Sequence, residues 1–495
     1  MESLGLLVEG FAVALRPFNL ILAFGGVVLG TVVGLLPGIG PINAIAILIP
    51  VIFAAGIPAE SALILLAGIY YGSQYGNSIS TILLNVPGTT SAVVTAIDGY
   101  PLTRQGRGGS ALAIAAVASF VGGTLAIFGL VLLAPALASW ALRFGPAEYF
   151  ALMALAFAAL SSFSGGSHAK ALVATGLGLL LASVGMDPIT AVPRFTFGQL
   201  RLLDGLDFVV VTLGLFAISE VLLMVAPLRR EGLAAPPVSR AWISLKDLSF
   251  TGWSMLRGSV IGFLMGILPG AGGTVSTFVA YGAEQRVSDR EGTFGKGDLR
   301  GVAAPEAASN ASATGAMIPL LTLGVPGSAT TAVLLGALMG LNVTPGPLLL
   351  ERNPEIFWGL VASMYLGNLF LLVLNLPLVG LFVKILTLPR WVVAPGIAGL
   401  AFVAVYAVNG SVFDLWLMAG FGVLGYGLRR AGIPLAPLIL GLVLGPLMEK
   451  NLRRALLLSG GEWGVLVSSP LSLGIWSTTA FVLLAPALLR RLRPS

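Results

Sequence analysis

The sequence is a succession of long apolar runs joined by short polar segments. Residues 20–36, 111–137, 171–186, 208–228, 358–386 and 471–489 each hold at most one charged side chain. About 20 apolar residues span a bilayer as a helix, so this pattern predicts transmembrane helices. The runs are too long and too evenly apolar for the alternating strands of an outer-membrane barrel. The predicted fold is an all-α membrane protein of about 10–12 helices, counting segments broken or made re-entrant by internal Gly and Pro. The first ~15 residues predict a short amphipathic helix ahead of the first long run.

Polar stretches organise the chain. The segment 229–248, RREGLAAPPVSRAWISLKDL, has four basic residues and a Pro-Pro pair, and its basic content predicts a cytoplasmic linker. It separates a first unit, 1–228, from a second, 249–495. A second charged loop spans 284–300, and the C-terminal LLRRLRPS predicts a cytoplasmic tail.

Each unit carries the same two signatures in the same order. GTVVGLLPGIGP at 30–41 matches GFLMGILPGAGG at 262–273, with Pro37 and Pro269 lying 232 residues apart. NVPGTTSAV at 85–93 matches GVPGSATTAV at 324–333, with Pro87 and Pro326 lying 239 residues apart. The charged loop at 284–300 accounts for the difference of seven. The chain thus reads as two structural repeats, and the run 208–228 is placed to connect them and invert the second.

Composition supports the membrane reading. Of the 495 residues 57% are hydrophobic and 10% charged, with a mean hydropathy of +0.97. Soluble domains carry about 25% charged residues, too many to match this chain. The net charge of +6 is scattered at segment ends, which excludes a nucleic-acid surface. There is no Cys and one His, His168, placed in a polar turn. A thiolate metal site is therefore excluded, and nucleophile–base chemistry has little to work with. No phosphate-binding Gly-rich loop and no H-E-x-x-H are present. The start, MESLGLLVEG, lacks the basic region of a cleaved signal, so the first segments are expected to be retained.

A Leu-Pro-Gly break inside an apolar segment frees backbone groups that cannot face lipid. It also presents a helix terminus whose N–H groups and dipole suit a carboxylate. The alternative is a kink or a close helix crossing of the Gly-xxx-Gly kind. Both second breaks lie in hydroxyl- and amide-rich stretches, 70–91 and 305–331, flanked by apolar runs. Such side chains can hold sodium or substrate carboxylates, or can bond back to their own helix. Three acids stand in apolar context: Glu220, Asp98, which could lie at a loop, and Glu306. Glu220 could equally cap a helix or pair with an Arg.

GLLPGIGP, YYGSQYGNSISTILLNVPGT, RFTFG at 194–198, GILPGAGG, GVAAPEAASNASATGAMIPLLTLGVPGSATTAVLLGAL and NVTPGP at 342–347 closely resemble the large membrane subunit of tripartite tricarboxylate transporters. The resemblance runs from about residue 20 to 448. It implies a multi-pass permease of the bacterial cytoplasmic membrane that imports citrate or related carboxylates. A sodium or proton gradient would drive it, without another cofactor. It implies two partners as separate chains, a small four-helix membrane subunit and a periplasmic solute-binding protein. A homo-oligomer is left open.

Matching positions are Pro37, Gly38, Gly40, Asn77, Ser78, Asn85, Pro87, Gly88, Thr89, Pro269, Gly270, Gly272, Glu306, Asn310, Pro326, Gly327 and Ser328. Ser309 departs from the second Asn expected there, exchanging an amide for a hydroxyl. Except for Glu306 and Asn85, these are the expected substrate-facing positions. Asn85, Thr90 and Thr330 are the candidate sodium ligands. The alternatives are an anion or solute channel, an intramembrane enzyme and a membrane scaffold.

Overall fold

Helices account for nearly all of the structure. The computed structural model describes residues 2–36, 40–163, 167–187, 189–225, 243–270, 272–385 and 390–492. Pro37 and Gly38, and the linker up to 242, lie outside the described residues. The chain ahead of the linker comprises α1 (Glu2–Ala14), α2 (Pro17–Leu35), α3 (Pro41–Ala54), α4 (Ala59–Leu84), α5 (Val93–Arg104), α6 (Gly108–Ala141), α7 (Pro146–Phe163), α8 (His168–Ala182) and α9 (Phe208–Val225). The chain after it comprises α10 (Leu245–Ile267), α11 (Gly272–Ser288), α12 (Leu299–Gly315), α13 (Met317–Leu323), α14 (Ala329–Gly340), α15 (Pro354–Ile385), α16 (Arg390–Asn409), α17 (Val412–Arg430), α18 (Leu435–Leu458) and α19 (Pro470–Leu492). A two-residue antiparallel strand pair, Gly185–Met186 with Pro193–Arg194, closes a hairpin between α8 and α9.

Among the described residues, five helices are long and apolar enough to cross a membrane, and seven more are apolar but shorter. Pro and Gly breaks divide the hydrophobic sequence, which is why apolar length and helix length differ. Residues 245–248 form the first turn of α10 rather than linker. Its capping box, Ser244 with Asp247, satisfies the helix start.

The repeats are visible in the packing. A methyl on Gly30 or Gly34 would run into the main chain of Ile69 or Ser73 on α4. A methyl on Gly262 or Gly266 would likewise meet Ala308 or Ser312 on α12. The glycines are 232 residues apart and their partners 239. The seven extra residues therefore enter between them, where a longer helix, Gly272–Ser288 against Pro41–Ala54, and a longer loop, 289–298 against 55–58, are found. Half of each first signature is thus a close helix crossing, as small residues permit.

The offset of 239 aligns α4 with α12 and α13. These counterparts run antiparallel where they meet: the Tyr71 hydroxyl lies 2.7 Å from Thr314 Oγ1, while Ser78 donates to Glu306 at 2.7 Å. Antiparallel contact between equivalent helices is the arrangement an inverted repeat produces.

Candidate binding site between the four helix breaks

The four breaks converge on one cavity of about 360 Å³. From the first repeat come Gly40, Pro41 and Asn43 at the start of α3 and Gly88, Thr89, Thr90 and Ser91 before α5. The second contributes Gly270, Gly272, Gly273 and Thr274 at the start of α11, and Ser328, Ala329 and Thr330 at the start of α14. Tyr70 and Gln74 of α4, Leu160, Phe216, Arg429, Pro434 and Ala436 complete the wall.

Local chemistry holds the breaks open. Gly270 and Gly272 have φ of 80° and 53°, values that suit glycine. The Gly270 N–H donates to the Gly327 carbonyl at 3.0 Å, tying the two breaks of the second repeat together. Asn85 and Gly324, 239 residues apart, are left-handed C-caps with φ of 56° and 68°. The repeats meet across the cavity at a 2.6 Å hydrogen bond between the Thr90 and Thr274 hydroxyls.

Three helix starts, those of α3, α11 and α14, face this space. Gly40 supplies no side-chain cap, so the first-turn N–H groups of α3 that remain after Pro41 have no capping side chain. Ser328 caps α14 through a reciprocal pair with Thr331, at 2.8 and 3.3 Å. Arg429 adds a cation and is bonded to Glu220. Glu220 thus pairs with an Arg, one of the alternatives open in the sequence. Phe216 reaches the cavity from a π-helical stretch of α9, Leu213–Ile218, a distortion common at functional sites.

Of the expected positions, Gly40, Gly88, Thr89, Thr90, Gly270, Gly272, Ser328 and Thr330 line the cavity. Asn77, Ser78, Asn85, Pro87, Pro269, Asn310, Pro326 and Gly327 do not. Asn77 and Asn310 donate to carbonyls one turn back, of Ser73 at 2.9 Å and Glu306 at 3.3 Å. Each leaves a buried Oδ1 without a hydrogen bond, and that of Asn77 abuts Gly88, where a methyl would overlap it. Asn77 corresponds by register to Ala316, so the two asparagines are not counterparts. Asn85 is exposed and acts as a cap, outside the cavity lining to which Thr90 and Thr330 belong.

Asp98 is not at a loop: it is fully buried in α5. Its Oδ1 accepts from the backbone N–H groups of Gly295, Gly297 and Asp298, each at 2.9 Å, and its Oδ2 from Tyr281 at 2.8 Å. It fastens the charged loop of the second repeat to the first. His168 is half-buried at the start of α8, with Nδ1 3.2 Å from the Ser161 carbonyl.

Tyr70, Asn43, Thr274 and Arg429 were missed by sequence reasoning. Gln74 belonged to the polar stretch 70–91 but had nothing to single it out. Between Ser61 and Leu83 it is the one α4 residue that is not buried. Arg429 ends an apolar run, where arginine commonly marks the membrane edge.

Among known proteins, residues 20–440 match the tripartite tricarboxylate transporter TctA family. An Agrobacterium vitis protein, described as an uncharacterized 52.8 kDa protein in the TAR-I ttuC' 3' region, is 44% identical over 472 residues. That alignment covers 95% of this chain and 94% of the relative. A second Agrobacterium vitis protein, uncharacterized and from the TAR-II ttuC' 3' region, is 43% identical over 230 residues, covering 46% of this chain and 95% of its own length. No solved structure matches. With a family match across most of its length, on an all-α multi-pass fold whose paired breaks enclose one cavity, the chain belongs to the tripartite tricarboxylate transporter TctA family, as a membrane subunit of a tripartite system.

Proposed function

We propose that this chain is the permease of a binding-protein-dependent secondary transporter that imports tricarboxylates or related carboxylates across the bacterial cytoplasmic membrane. The observation that carries the reading is the convergence of both breaks of both repeats on one cavity. Helix starts present N–H groups and positive dipole ends, each favouring an anion by about 0.3–1 kcal/mol at exposed sites. Arg429, held by Glu220, places a guanidinium on the same wall. The hydroxyls of Thr89, Thr90, Thr274, Ser328 and Thr330 offer donors to carboxylates and oxygen ligands to a coupling cation.

The partners in this reading are a small four-helix membrane subunit and a periplasmic solute-binding protein. Uptake would be coupled to a sodium or proton gradient, with one bundle moving against the other around the cavity. The test is uptake of labelled citrate and related carboxylates by vesicles holding the whole system, with and without the binding protein, under imposed sodium or proton gradients. Accumulation that requires a gradient supports the reading. Flux indifferent to both gradients refutes secondary transport.

A further inference from the structure

Glu306 is a buried carboxyl in an unusual shell. It is 2% exposed, in the middle of α12. Ser78 Oγ and Ser119 Oγ donate to its Oε2 at 2.7 and 3.4 Å, and Thr95 Oγ1 to its Oε1 at 2.6 Å. All three donors are hydroxyls and all belong to the first repeat, on α4, α6 and α5, whereas Glu306 belongs to the second.

The shell differs in kind from that of Asp98. Three of the four donors to Asp98 are backbone N–H groups, which cannot accept. That shell suits the carboxylate form alone. A hydroxyl donates to a carboxylate and, after rotating, accepts from a carboxylic acid. The Glu306 shell therefore satisfies both protonation states without moving a heavy atom. The contacts at 2.6 and 2.7 Å are direct hydrogen bonds, closed around the carboxyl rather than spread for a metal ion.

The fold does not require this cluster. The counterpart of Glu306 in the first repeat is Ala67, by the offset of 239, and those of Ser78 and Thr95 are Met317 and Leu334. Ala67, Met317 and Leu334 are all buried. The same backbone is thus packed once with apolar side chains and once with an acid and hydroxyls. Burying an acid is costly, and acids within membrane segments mark ion or proton pathways.

The neighbouring ionisable groups are committed elsewhere. On α4, the Tyr75 hydroxyl donates to the Leu112 carbonyl at 3.1 Å. On α5, Asp98 is bound as described. On α12 and α10, Arg300 and Arg257 are bonded to Asp298 and Glu284. On α11, Tyr281 donates to Asp98, and Arg286 is exposed. The remaining neighbours, α6 and α13, contain no ionisable residue. Thr95 lies in the first turn of α5, four residues beyond Ser91 in the cavity wall.

We propose that Glu306 is the proton-binding site of the transport cycle, taking up and releasing one proton as one hydroxyl of the Ser78, Thr95 and Ser119 shell turns from donor to acceptor. The proposal rests on the permease reading and assigns its coupling ion. Protonation alters the bond from Thr95, and with it the hold of α12 on the helix that carries the Thr89–Ser91 turn.

The first test needs no transport. Infrared difference spectra of the purified full-length protein, taken across a pH titration, should show the carbonyl stretch of a protonated carboxyl group that titrates and is absent in Glu306→Gln. Thr95→Val should move its midpoint, which keeps the test valid if Glu306→Gln does not fold. Absence of any titrating band, or a band unchanged in both variants, overturns the proposal and leaves the permease reading intact. The second test uses vesicles holding the whole system. Glu306→Gln should retain carboxylate exchange at equilibrium while losing at least tenfold in proton-driven accumulation. Wild-type accumulation in this variant overturns the proposal. Absence of carboxylate flux from the wild-type system instead overturns the permease reading.

Discussion

Gly270 and Gly272 flank the same helix start but meet different surroundings, so alanine at each should cost different amounts. Both have positive φ, and an L-residue in that region costs about 1–2 kcal/mol. At Gly272 the added methyl finds only Ser328 Cβ, at 3.7 Å, an ordinary contact. Gly272→Ala should therefore lose about 1–2 kcal/mol and no more. At Gly270 the methyl would overlap the main chain of Ala159 and Leu160 in α7. Overpacking of that kind costs a further ~1–3 kcal/mol, for a total of about 2–5. Domains are stable by only about 5–15 kcal/mol, so the difference should show as a clear ranking of thermal midpoints. The assay is heat unfolding of the purified protein in detergent, followed by intrinsic tryptophan fluorescence, with ligand-free wild type as reference. Equal midpoints for the two variants, or a lower one for Gly272→Ala, would refute the placement of α7 against this break.

Three further outcomes are expected. Arg429→Gln removes the cation from the cavity wall and its bond to Glu220, and should cost about 1.5–3 kcal/mol of carboxylate binding, measured as a rise of tenfold or more in half-saturating concentration. Thr274→Val removes the 2.6 Å bond to Thr90 and should change the thermal midpoint little while altering uptake kinetics; unchanged kinetics would remove this pair from the site. The hairpin after α8 should loosen in acid. Asp187 is held well below the usual carboxylate range by the backbone N–H groups of Thr190 and Ile189, which with Arg453 outweigh the effect of burial. A lowered pKa gives stability that is present above the unfolded value of about 4 and is lost as pH falls below it toward the folded value. Hydrogen exchange across 185–205 should accelerate in that range, and an unchanged rate would remove Asp187 as the anchor.

The membrane class, the duplication and the positions of the four breaks are legible in the residues alone. These are local or additive properties: few charges, runs of spanning length, and Pro-Gly pairs whose backbone consequences hold wherever they stand. The size of the seven-residue insertion was equally legible, because an offset between two motif pairs is arithmetic. Which polar side chains face the cavity depends on how the helices pack. Helix α4 is buried almost all round, so no amphipathic stripe separates Gln74, at the cavity, from Asn77, turned to its own helix and Gly88. Hydroxyls and amides are equally suited to ligand and to backbone, and only the neighbours choose between them. Arg429 was out of reach because α17 is distant in sequence from every break. The contrast between Glu306 and Ala67 required register as well, since the motifs gave two offsets and only the helix contacts assigned 239 to the helices that carry both residues.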